Sequence, residues 1–400
     1  MVVGPVTTQI YRKGLDLKQE VQPLLIGSYH SELVKTIKAQ DYEYRSGRLV
    51  IHMAREFGFC YGVDRAVDYA YQTRHRFPDR DVFLTGEIIH NPHVNDELRR
   101  QGIRFLSDDG ESIDQLTPEQ VVILPAFGVT LEMLQRLDQR GCTLVDTTCG
   151  SVLNVWKNVR RYAEEGFTSV IHGKHWHEET QATASQALNA GAGHYLIVLN
   201  EQEARVACDY IRGGGDRDAF VERFAAATSP GFDPDRDLQR IGCANQTTML
   251  STESLAIGAM FRDAIEARHG ASETAFRFRS FDTICSATQD RQDAVEHLLA
   301  TRPIDLMIVI GGYNSSNTCN LARMSSTHVP TYHVADPSCL ESPAALRHKP
   351  VGQPAERVAA NWLPPDGTVT IGLTSGASTP DSVVERTIHR LASLTAGQPG

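Results

Sequence analysis

Residues 143–159 read TLVDTTCGSVLNVWKNV, and this stretch shows the unit from which the chain is built. The apolar run 143–145 predicts a strand, the polar residues after it predict a turn, and Cys149 begins a helical pattern. Apolar residues 3, 6, 7 and 10 positions after the cysteine share one face of an α-helix: Val152, Val155, Trp156 and Val159. The sequence therefore predicts a cysteine at a joint between a strand and a helix.

The same arrangement recurs around two further cysteines, Cys60 and Cys285. After Cys60 the same four offsets carry small apolar residues: Val63, Ala66, Val67 and Ala70. After Cys285 the pattern is weaker, because Arg291 and Gln292 take two of these positions. The apolar stripe of the third helix consists of Ala294, Val295, Leu298 and Leu299. The start of a helix lowers the pKa of a thiol, so three such joints favour thiolates that converge on one metal centre.

Short apolar strands alternate with amphipathic helices along the rest of the chain, which indicates an α/β protein with parallel sheets. We expect three pseudo-repeated αβ lobes, in residues 49–149, 150–284 and 285–400. Residues 1–48 form a polar amino-terminal extension, and residues 212–240 form a glycine-rich, charged insertion in the second lobe. We expect a solvated, structural role for both segments.

Length and composition exclude several classes of protein. The 400 residues are 41% hydrophobic and 22% charged, and the net charge of −10 argues against broad nucleic-acid binding. The chain has no run of 18 apolar residues, so we expect no membrane-spanning helix. The first residues lack the pattern of a secretory signal, so we expect a cytoplasmic protein with reduced thiols.

The spacing of the eight cysteines excludes the common clustered motifs. No CxxC occurs, and the nearest pair, Cys142 and Cys149, is seven residues apart, unlike zinc fingers and clustered ferredoxins. The cysteines outside the three joints are expected to be small core residues: Cys142, Cys208, Cys243, Cys319 and Cys339. Three thiolates without a fourth suit an iron–sulfur cluster with one open iron. A three-cysteine zinc site, or no metal at all, remains the alternative.

Polar turns follow several predicted strands. Ser315, Ser316 and Asn317 follow the predicted strand 306–312, Ser378 follows the predicted strand 369–373, and Thr247 has a similar position. Hydroxyls, an amide and backbone N–H groups at the start of helices form a site for an anion such as phosphate. Any one of these residues could equally be a plain helix cap.

A histidine-rich segment, HGKHWHEET at 172–180, carries a second set of functional groups. The segment carries His172, His175, His177, Glu178 and Glu179, and His90 stands apart from it. Histidines add positive charge and donors for a diphosphate, and a carboxylic acid with a raised pKa can supply protons. The HExxH spacing of a zinc protease is absent. Exposed histidine and glutamate side chains without a function are the alternative.

These segments together resemble the 4-hydroxy-3-methylbut-2-enyl diphosphate reductase family, from about residue 49 to about residue 390. The motifs that carry the resemblance are GFCYGVDRA, EIIHNPHVN, VDTTCG, HGKHWHEET, NQTT, TICSATQDRQ, YNSSNT and SGAST, in that order. The resemblance implies three lobes in a trefoil around one central [4Fe-4S] cluster, held by Cys60, Cys149 and Cys285.

The resemblance also implies the reaction. The hydroxyl of the allylic diphosphate substrate would bind the open iron and leave as water after two electrons and protons arrive. The products would be isopentenyl and dimethylallyl diphosphate, in the last step of the methylerythritol phosphate route to isoprenoids.

Individual roles follow from the matched motifs. Glu179 matches the residue that delivers protons, and Thr247 matches a threonine that hydrogen-bonds near the substrate hydroxyl. The residues that match the diphosphate binders are His90, His177, Ser315, Ser316, Asn317 and Ser378.

One position departs from the pattern of many family members. An AFG turn with Phe127 stands where they have AHG, and Phe127 cannot donate a hydrogen bond to a diphosphate. This turn, the extension and the insertion resemble the longer plant and cyanobacterial subgroup. The subgroup resemblance implies ferredoxin or a similar protein as electron donor. The chain shows no flavin or nicotinamide motif, so we expect electrons to arrive from a separate protein.

Two other functions fit part of the pattern. A cluster-dependent lyase or condensing enzyme, similar to quinolinate synthase, would also use three cysteines but would need no external electrons. A non-catalytic iron–sulfur sensor would bind a partner and would not turn over any allylic diphosphate.

Overall fold

The structure is a computed structural model that describes residues 8–108, 110–188, 191, 193–281 and 283–396. The chain divides into two compact units, each made of separate stretches of sequence. The first unit comprises Met1–Arg12, Arg80–Gly86 and Phe105–Cys285. The second unit comprises Lys13–Asp79, Glu87–Arg104 and Ser286–Gly400.

Strands and helices alternate along most of the chain. The strands are β1 (Ile10–Tyr11), β2 (Glu43–Ser46), β3 (Leu49–Met53), β4 (Val82–Leu84), β5 (Ile103–Phe105), β6 (Val121–Leu124), β7 (Thr143–Asp146), β8 (Thr168–His172), β9 (Tyr195–Val198), β10 (Ile241–Asn245), β11 (Phe278–Ser280), β12 (Leu306–Ile310), β13 (Thr331–Val334), β14 (Ala345–His348), β15 (Arg357–Ala360) and β16 (Val369–Ser375). The helices are α1 (Lys18–Tyr29), α2 (Glu32–Ala39), α3 (Tyr61–Arg76), α4 (Pro92–Arg100), α5 (Leu131–Arg140), α6 (Gly150–Glu164), α7 (Glu178–Ala187), α8 (Glu201–Gly213), α9 (Arg217–Arg223), α10 (Pro234–Asp237), α11 (Ser251–His269), α12 (Ala271–Arg277), α13 (Ser286–Thr301), α14 (Ser316–Ser326) and α15 (Asp381–Thr395).

The first unit contains two sheets. One has the order β1-β7-β6-β4-β5, and the pairs β1–β7, β7–β6 and β6–β4 are parallel. The other, β11-β10-β8-β9, is parallel throughout. The residues of β6 and β8 are buried along their whole length, as parallel strands covered on both faces must be. This unit therefore holds two of the three main sheets.

The second unit contains a sheet of order β13-β12-β16-β3-β2, in which only β2 runs antiparallel. The antiparallel hairpin of β14 and β15 stands apart from it. Since all three main sheets are mostly parallel, the predicted α/β class is confirmed. The lobe boundaries stay a prediction, and the sheets show one difference: β3, at the start of the predicted first lobe, pairs with β16 near the carboxyl end.

The apolar stripes predicted after the three cysteines face cores. Ala66, Val67 and Ala70 are buried in α3, all four predicted positions are buried in α6, and Val295 and Leu298 are buried in α13. None of the helices that the structure describes combines the length and apolar character needed to cross a membrane.

The extension and the insertion contribute side chains to cores, which fits the structural role expected for them, although neither segment is solvated throughout. Val21, Leu25 and Tyr29 of the extension are buried in α1. Five side chains of the insertion lie in the core of the second sheet of the first unit: Phe220, Phe224, Ala227, Phe232 and Leu238. The insertion is rich in charged residues and glycine, and its apolar residues are widely spaced. They therefore form no periodic pattern that would indicate a buried face.

Candidate active site

Cys149 lies at the joint that the sequence predicts. It is the N-cap residue of α6, it is half-buried, and its N–H donates to the carbonyl of Ala126 over 2.9 Å. The preceding turn is fixed by Asp146, whose carboxylate accepts from the N–H and hydroxyl of Thr148. Cys149 also packs against a small cluster that includes Ala182 of α7. The thiol is thus placed beside the helix that carries His177 and Glu179.

A chain of hydrogen bonds links three predicted site residues of the first unit. The N–H of Thr247 donates to Oε1 of Glu179 over 2.6 Å. The carbonyl of the same Thr247 accepts from the N–H of Cys285 over 3.3 Å. Glu179 and Thr247 are 3% and 4% exposed, so both are shielded from bulk water. The structure therefore brings together Glu179, Thr247 and Cys285, which are far apart in sequence.

The Thr247 hydroxyl makes no hydrogen bond within the part of the chain that the structure describes. Its neighbour Gln246 holds the turn instead, because its side chain accepts from the Thr180 hydroxyl and from the N–H of Lys174. The backbone of this turn is therefore fixed while one hydroxyl remains available to a ligand.

His177 caps the start of α7 and is 6% exposed. Its Nδ1 accepts from the N–H of Glu179 over 3.1 Å, so the neutral ring carries its proton on Nε2, where it can donate to a ligand. Phe127 packs against this ring edge to face, with 5.9 Å between centroids and 80° between planes. The residue at the unusual AFG turn therefore holds the imidazole.

Other members of the HGKHWHEET segment have different surroundings. Glu178 and Trp176 are exposed, and His172 is buried with Nδ1 2.8 Å from the Ser254 hydroxyl. Of the segment's histidines and glutamates, His177 and Glu179 are thus the buried pair placed near Thr247.

Cys60, in the second unit, is the N-cap residue of α3 and is half-buried. Its N–H donates to the carbonyl of Ala377 over 3.2 Å. The preceding turn needs glycine, because Gly58 has φ +79° and a Cβ there would lie 2.7 Å from Oδ1 of Asp381. The carbonyl of Gly58 accepts from Nη2 of Arg291 over 2.8 Å. The Cys60 turn is therefore held by backbone contacts on both sides.

Residues 311–317, which follow β12 and include the first two residues of α14, form what we call the anion loop. Ser315 is the N-cap of α14, since its hydroxyl oxygen accepts from the N–H of Thr318. Oδ1 of Asn317 accepts from the N–H of Ala377 over 3.0 Å, which leaves Nδ2 as a donor. That Nδ2 is buried and has no partner among the described residues. A buried donor without an acceptor is costly, and an anionic oxygen would satisfy it.

Two further predicted ligands lie against this loop within the second unit. His90 is 7% exposed, and its Nδ1 lies 2.8 Å from Oε2 of Glu87. The hydroxyl of Ser378 donates to the carbonyl of His90 over 3.3 Å. A Cβ on Gly312 would lie 2.3 Å from that carbonyl, so the loop can approach only because glycine stands there. The structure thus gathers His90, Ser378 and the anion loop.

The remaining cysteines follow the core prediction with one exception. Cys142, Cys208, Cys243 and Cys339 are buried. Burial raises the pKa of the Cys208 thiol to about 12 and also raises the pKa of Cys142 and Cys243, so these thiols stay protonated. Cys319 is the exception, because it is half-buried and donates to the carbonyl of Tyr313.

Sequence reasoning missed the groups that hold the site together. Arg291 was read only as a break in an apolar stripe, although it is 3% exposed and bonds the Cys60 turn. Ala377 acts through its N–H and carbonyl, for which sequence gives no signal. The signal in the sequence is an arginine at a position of the apolar stripe, which predicts a buried arginine with a hydrogen-bond partner.

Comparison with known proteins gives the following matches. The sequence profile of the LytB protein family matches residues 51–392. The 4-hydroxy-3-methylbut-2-enyl diphosphate reductase of Thermosynechococcus vestitus is 49% identical over 387 residues, covering 96% of this chain and 94% of that protein. The protein of the same name from Gloeobacter violaceus is 47% identical over 391 residues, covering 96% of this chain and 92% of that protein.

Two solved structures are similar as well. One is described as (E)-4-hydroxy-3-methyl-but-2-enyl diphosphate reductase, the terminal enzyme of the non-mevalonate pathway. It matches with a TM-score of 0.50 and 26% identity over 86% of this chain and 99% of its own. The other, a reductase from Plasmodium falciparum, matches with a TM-score of 0.59 and 21% identity over 87% of this chain and 88% of its own, and supports the fold alone.

Proposed function

Because this chain belongs to the LytB protein family, we propose that it reduces (E)-4-hydroxy-3-methylbut-2-enyl diphosphate to isopentenyl and dimethylallyl diphosphate. Two electrons and two protons enter, the allylic C–O bond breaks, and the hydroxyl leaves as water. One proton joins the leaving hydroxyl and the other forms the new C–H bond, so atoms and charge balance.

The observation that carries this proposal is the hydrogen-bonded sequence Glu179–Thr247–Cys285 in the first unit. These bonds join three residues whose side chains are a buried carboxyl group, an available hydroxyl and a thiol at the start of a helix. A reductive removal of a hydroxyl needs these three functions: a proton source, a group that orients the hydroxyl, and a ligand for the electron-carrying centre.

Members of this family depend on iron–sulfur chemistry, and the residues of this chain fit such a group. Cys60 and Cys149 are N-cap residues, Cys285 directly precedes α13, and all three are half-buried, whereas Cys142, Cys208, Cys243 and Cys339 are buried. We propose that the three joint thiols hold one [4Fe-4S] cluster. When bound, the cluster supplies electrons one at a time and a Lewis-acidic iron without a protein thiolate.

Glu179 is proposed as the proton donor. Its Oε1 accepts the N–H of Thr247, and the oxygen of a protonated carboxyl group that carries the proton is a poor acceptor. When Glu179 is protonated, its proton therefore lies on Oε2. The Thr247 hydroxyl would orient the substrate hydroxyl for this transfer.

We propose the residues that match the family's diphosphate binders as donors to the diphosphate. In the second unit these are Nδ2 of Asn317, the hydroxyl of Ser315, Ser316 and His90. The Ser378 hydroxyl donates a hydrogen bond to the carbonyl of His90. To donate to a phosphate oxygen instead, it would have to break that bond. In the first unit Nε2 of His177 is the corresponding donor.

Electrons must come from outside the chain, since the proposed chemistry consumes two per turnover. We propose ferredoxin or a similar iron–sulfur protein as the donor, and we propose that the protein acts in the cytoplasm.

The proposal is tested by anaerobic purification, followed by iron and sulfide analysis, an electronic spectrum and an assay with a reduced mediator. We expect about four irons and four sulfides per chain, a cluster spectrum, and mediator-dependent formation of both products. Turnover without any reductant would instead favour a lyase, and a cluster with no turnover of the allylic diphosphate would favour a sensor.

A matched pair of variants tests the ligand assignment. Cys285→Ser should yield colourless or iron-poor protein, whereas Cys208→Ala, which changes a buried thiol of the same unit, should keep the cluster. A full cluster spectrum in Cys285→Ser would contradict the assignment.

A further inference from the structure

Two carbonyls of the anion loop accept hydrogen bonds from side chains to which no role has been given above. Nε2 of His333, in β13, donates to the carbonyl of Gly311 over 2.9 Å. Nζ of Lys349, just after β14, donates to the carbonyl of Tyr313 over 3.4 Å. Both bonds lie within the second unit, on the segment that leads into Ser315 and Asn317. These two side chains therefore contact the loop through its backbone.

His333 is well fixed. It is 3% exposed, and burial lowers its pKa to about 4, so the ring is neutral at neutral pH and donates from Nε2. The ring also meets Tyr313 edge to face, with 5.0 Å between centroids and 79° between planes. The His333 ring is therefore oriented so that Nε2 donates to the carbonyl of Gly311.

Lys349 is coupled to the same strand. Its N–H donates to the carbonyl of His333 over 3.0 Å, and its ammonium lies 5.8 Å from the centre of the Tyr313 ring. The ammonium has no carboxylate partner among the described residues. Its charge is therefore directed at the loop by a carbonyl and an aromatic face rather than neutralised by an acid.

The loop has little room to shift. Gly311 has φ +146°, and a Cβ there would lie 2.7 Å from the Thr379 hydroxyl and 2.8 Å from the Thr318 hydroxyl. Gly312 is in close contact with the carbonyl of His90. A displacement of a few tenths of an ångström would therefore disturb the contacts that align the donors of Ser315 and Asn317.

We infer that His333 and Lys349 are positioning residues that hold the anion loop in its binding conformation and so set its affinity for a diphosphate. This inference rests on the proposed function, because it takes the loop to be the diphosphate site. A loop that is held in advance loses less conformational freedom on binding, which strengthens binding without a direct contact to the ligand.

The experiment uses the anaerobically purified holoenzyme and two pairs of variants. His333→Leu and Lys349→Met remove the donors, whereas His333→Gln and Lys349→Arg retain a donor near the same place. Calorimetry measures binding of inorganic diphosphate, and steady-state assays measure KM and kcat with the allylic diphosphate. Spectra and the unfolding midpoint check the cluster and the fold.

We expect His333→Leu and Lys349→Met to weaken diphosphate binding by roughly three- to tenfold and to raise KM by the same factor, as loss of one hydrogen bond implies. The kcat should change by less than about twofold, because Glu179 and Thr247 are unaffected. His333→Gln and Lys349→Arg should recover most of the affinity. A general loss of structure would lower kcat and weaken diphosphate binding together. The variants His333→Gln and Lys349→Arg would then not restore the affinity.

His348→Leu is the matched control, since it changes a neighbouring half-buried imidazole that packs on Tyr332 and has no bond to the loop. It should bind diphosphate as the wild type does. If folded His333→Leu and Lys349→Met also bind like the wild type, the inference is overturned. If His333→Leu does not fold, Lys349→Met decides, and a wild-type holoenzyme that binds no diphosphate would instead refute the proposed function.

Discussion

One oxygen of Glu179 is fixed by a backbone hydrogen bond, which orients the carboxyl group. Oε1 receives the N–H of Thr247, whose carbonyl in turn receives the N–H of Cys285. The side chain is 3% exposed and belongs to the first turn of α7. A single carboxyl group is therefore held by the same turn that approaches a proposed cluster ligand.

Glu179→Gln tests the proton donor directly. The amide oxygen can still accept from Thr247, so the turn and the cluster should persist while the proton is lost. General acid catalysis contributes about a hundred- to ten-thousandfold, and we expect turnover to fall within that range. Diphosphate binding and the cluster spectrum should remain.

The matched control is Glu201→Gln, which changes an exposed glutamate in the first turn of α8. It should retain most activity. Near-normal turnover in Glu179→Gln would remove that residue from the proton path.

Phe127 shows how a residue without donors can serve an anion site. It packs against the His177 ring, which keeps Nε2 as the outward donor. Phe127→Ala should raise KM roughly three- to tenfold, because an aromatic pair contributes about 0.5–1.5 kcal/mol.

Phe127→His is the informative partner of that variant. It restores the aromatic contact and adds a donor, so KM should return to the wild-type value or below it, as steady-state kinetics would show. Equal KM values for the wild type and Phe127→Ala would rule out this role of the ring contact.

At the scale of elements, α13 does more than follow Cys285. Its Arg291 donates to the carbonyl of Gly58 and to the carbonyl of Ala287. The helix that begins after one proposed ligand therefore supports the turn that precedes another, Cys60.

Arg291→Met should leave the carbonyl of Gly58 without its partner. We expect the free energy of unfolding to fall by about 1–3 kcal/mol, the cost of an unsatisfied buried group, and iron content to fall with it. Denaturation curves and iron analysis measure the two effects.

Arg302→Met, which removes a half-buried arginine just after the same helix, is the control and should change neither quantity by much. An Arg291→Met protein with wild-type stability and iron content would show that the bond to Gly58 is dispensable.

This helix also shows how far the sequence could predict the fold and the site. Strand, turn, cysteine and helix followed from periodicity at Cys60 and Cys149, because local apolar spacing determines them. Arg291 looked like a defect because its partner, the Gly58 carbonyl, is 233 residues away in sequence. Long-range bonds to backbone atoms leave no local pattern, so the roles of Arg291 and Ala377 required coordinates.

At the scale of the whole molecule, buried histidines tie stability to pH. The folded state keeps the pKa of His333 at about 4, below its ordinary value of 6.5, because burial disfavours the charged ring. Between these two values the unfolded chain binds a proton that the folded chain does not. Stability therefore rises with pH through this window and is lost as pH falls from about 6.5 towards 4.

We expect His333 to account for up to about 3 kcal/mol of the unfolding free energy lost over that window. Denaturant titrations at about pH 4.5 and about pH 7 should show a smaller loss in His333→Gln than in the wild type. His389→Gln, at an exposed site, should lose as much as the wild type. Identical losses in all three proteins would contradict this assignment.

The same scale explains why domain limits were hard to predict. Each unit is assembled from three separate stretches, and β3 completes a sheet whose other parallel strands come from residues beyond 300. Parallel strands are buried on both faces, so their sequences are similar apolar runs. Such a run identifies a strand but does not indicate to which sheet the strand belongs.

The two residues of β1 have a practical consequence for anyone who shortens this chain. Ile10 and Tyr11 lie beside β7, and the next residue, Arg12, pairs with Asp146 at the turn before Cys149. A very short outer strand of this kind prevents other molecules from adding to a sheet. Removing the first twelve residues to obtain crystals would expose the edge of β7 and would remove the partner of Asp146. Self-association and a poorly formed Cys149 turn would therefore follow from the same truncation.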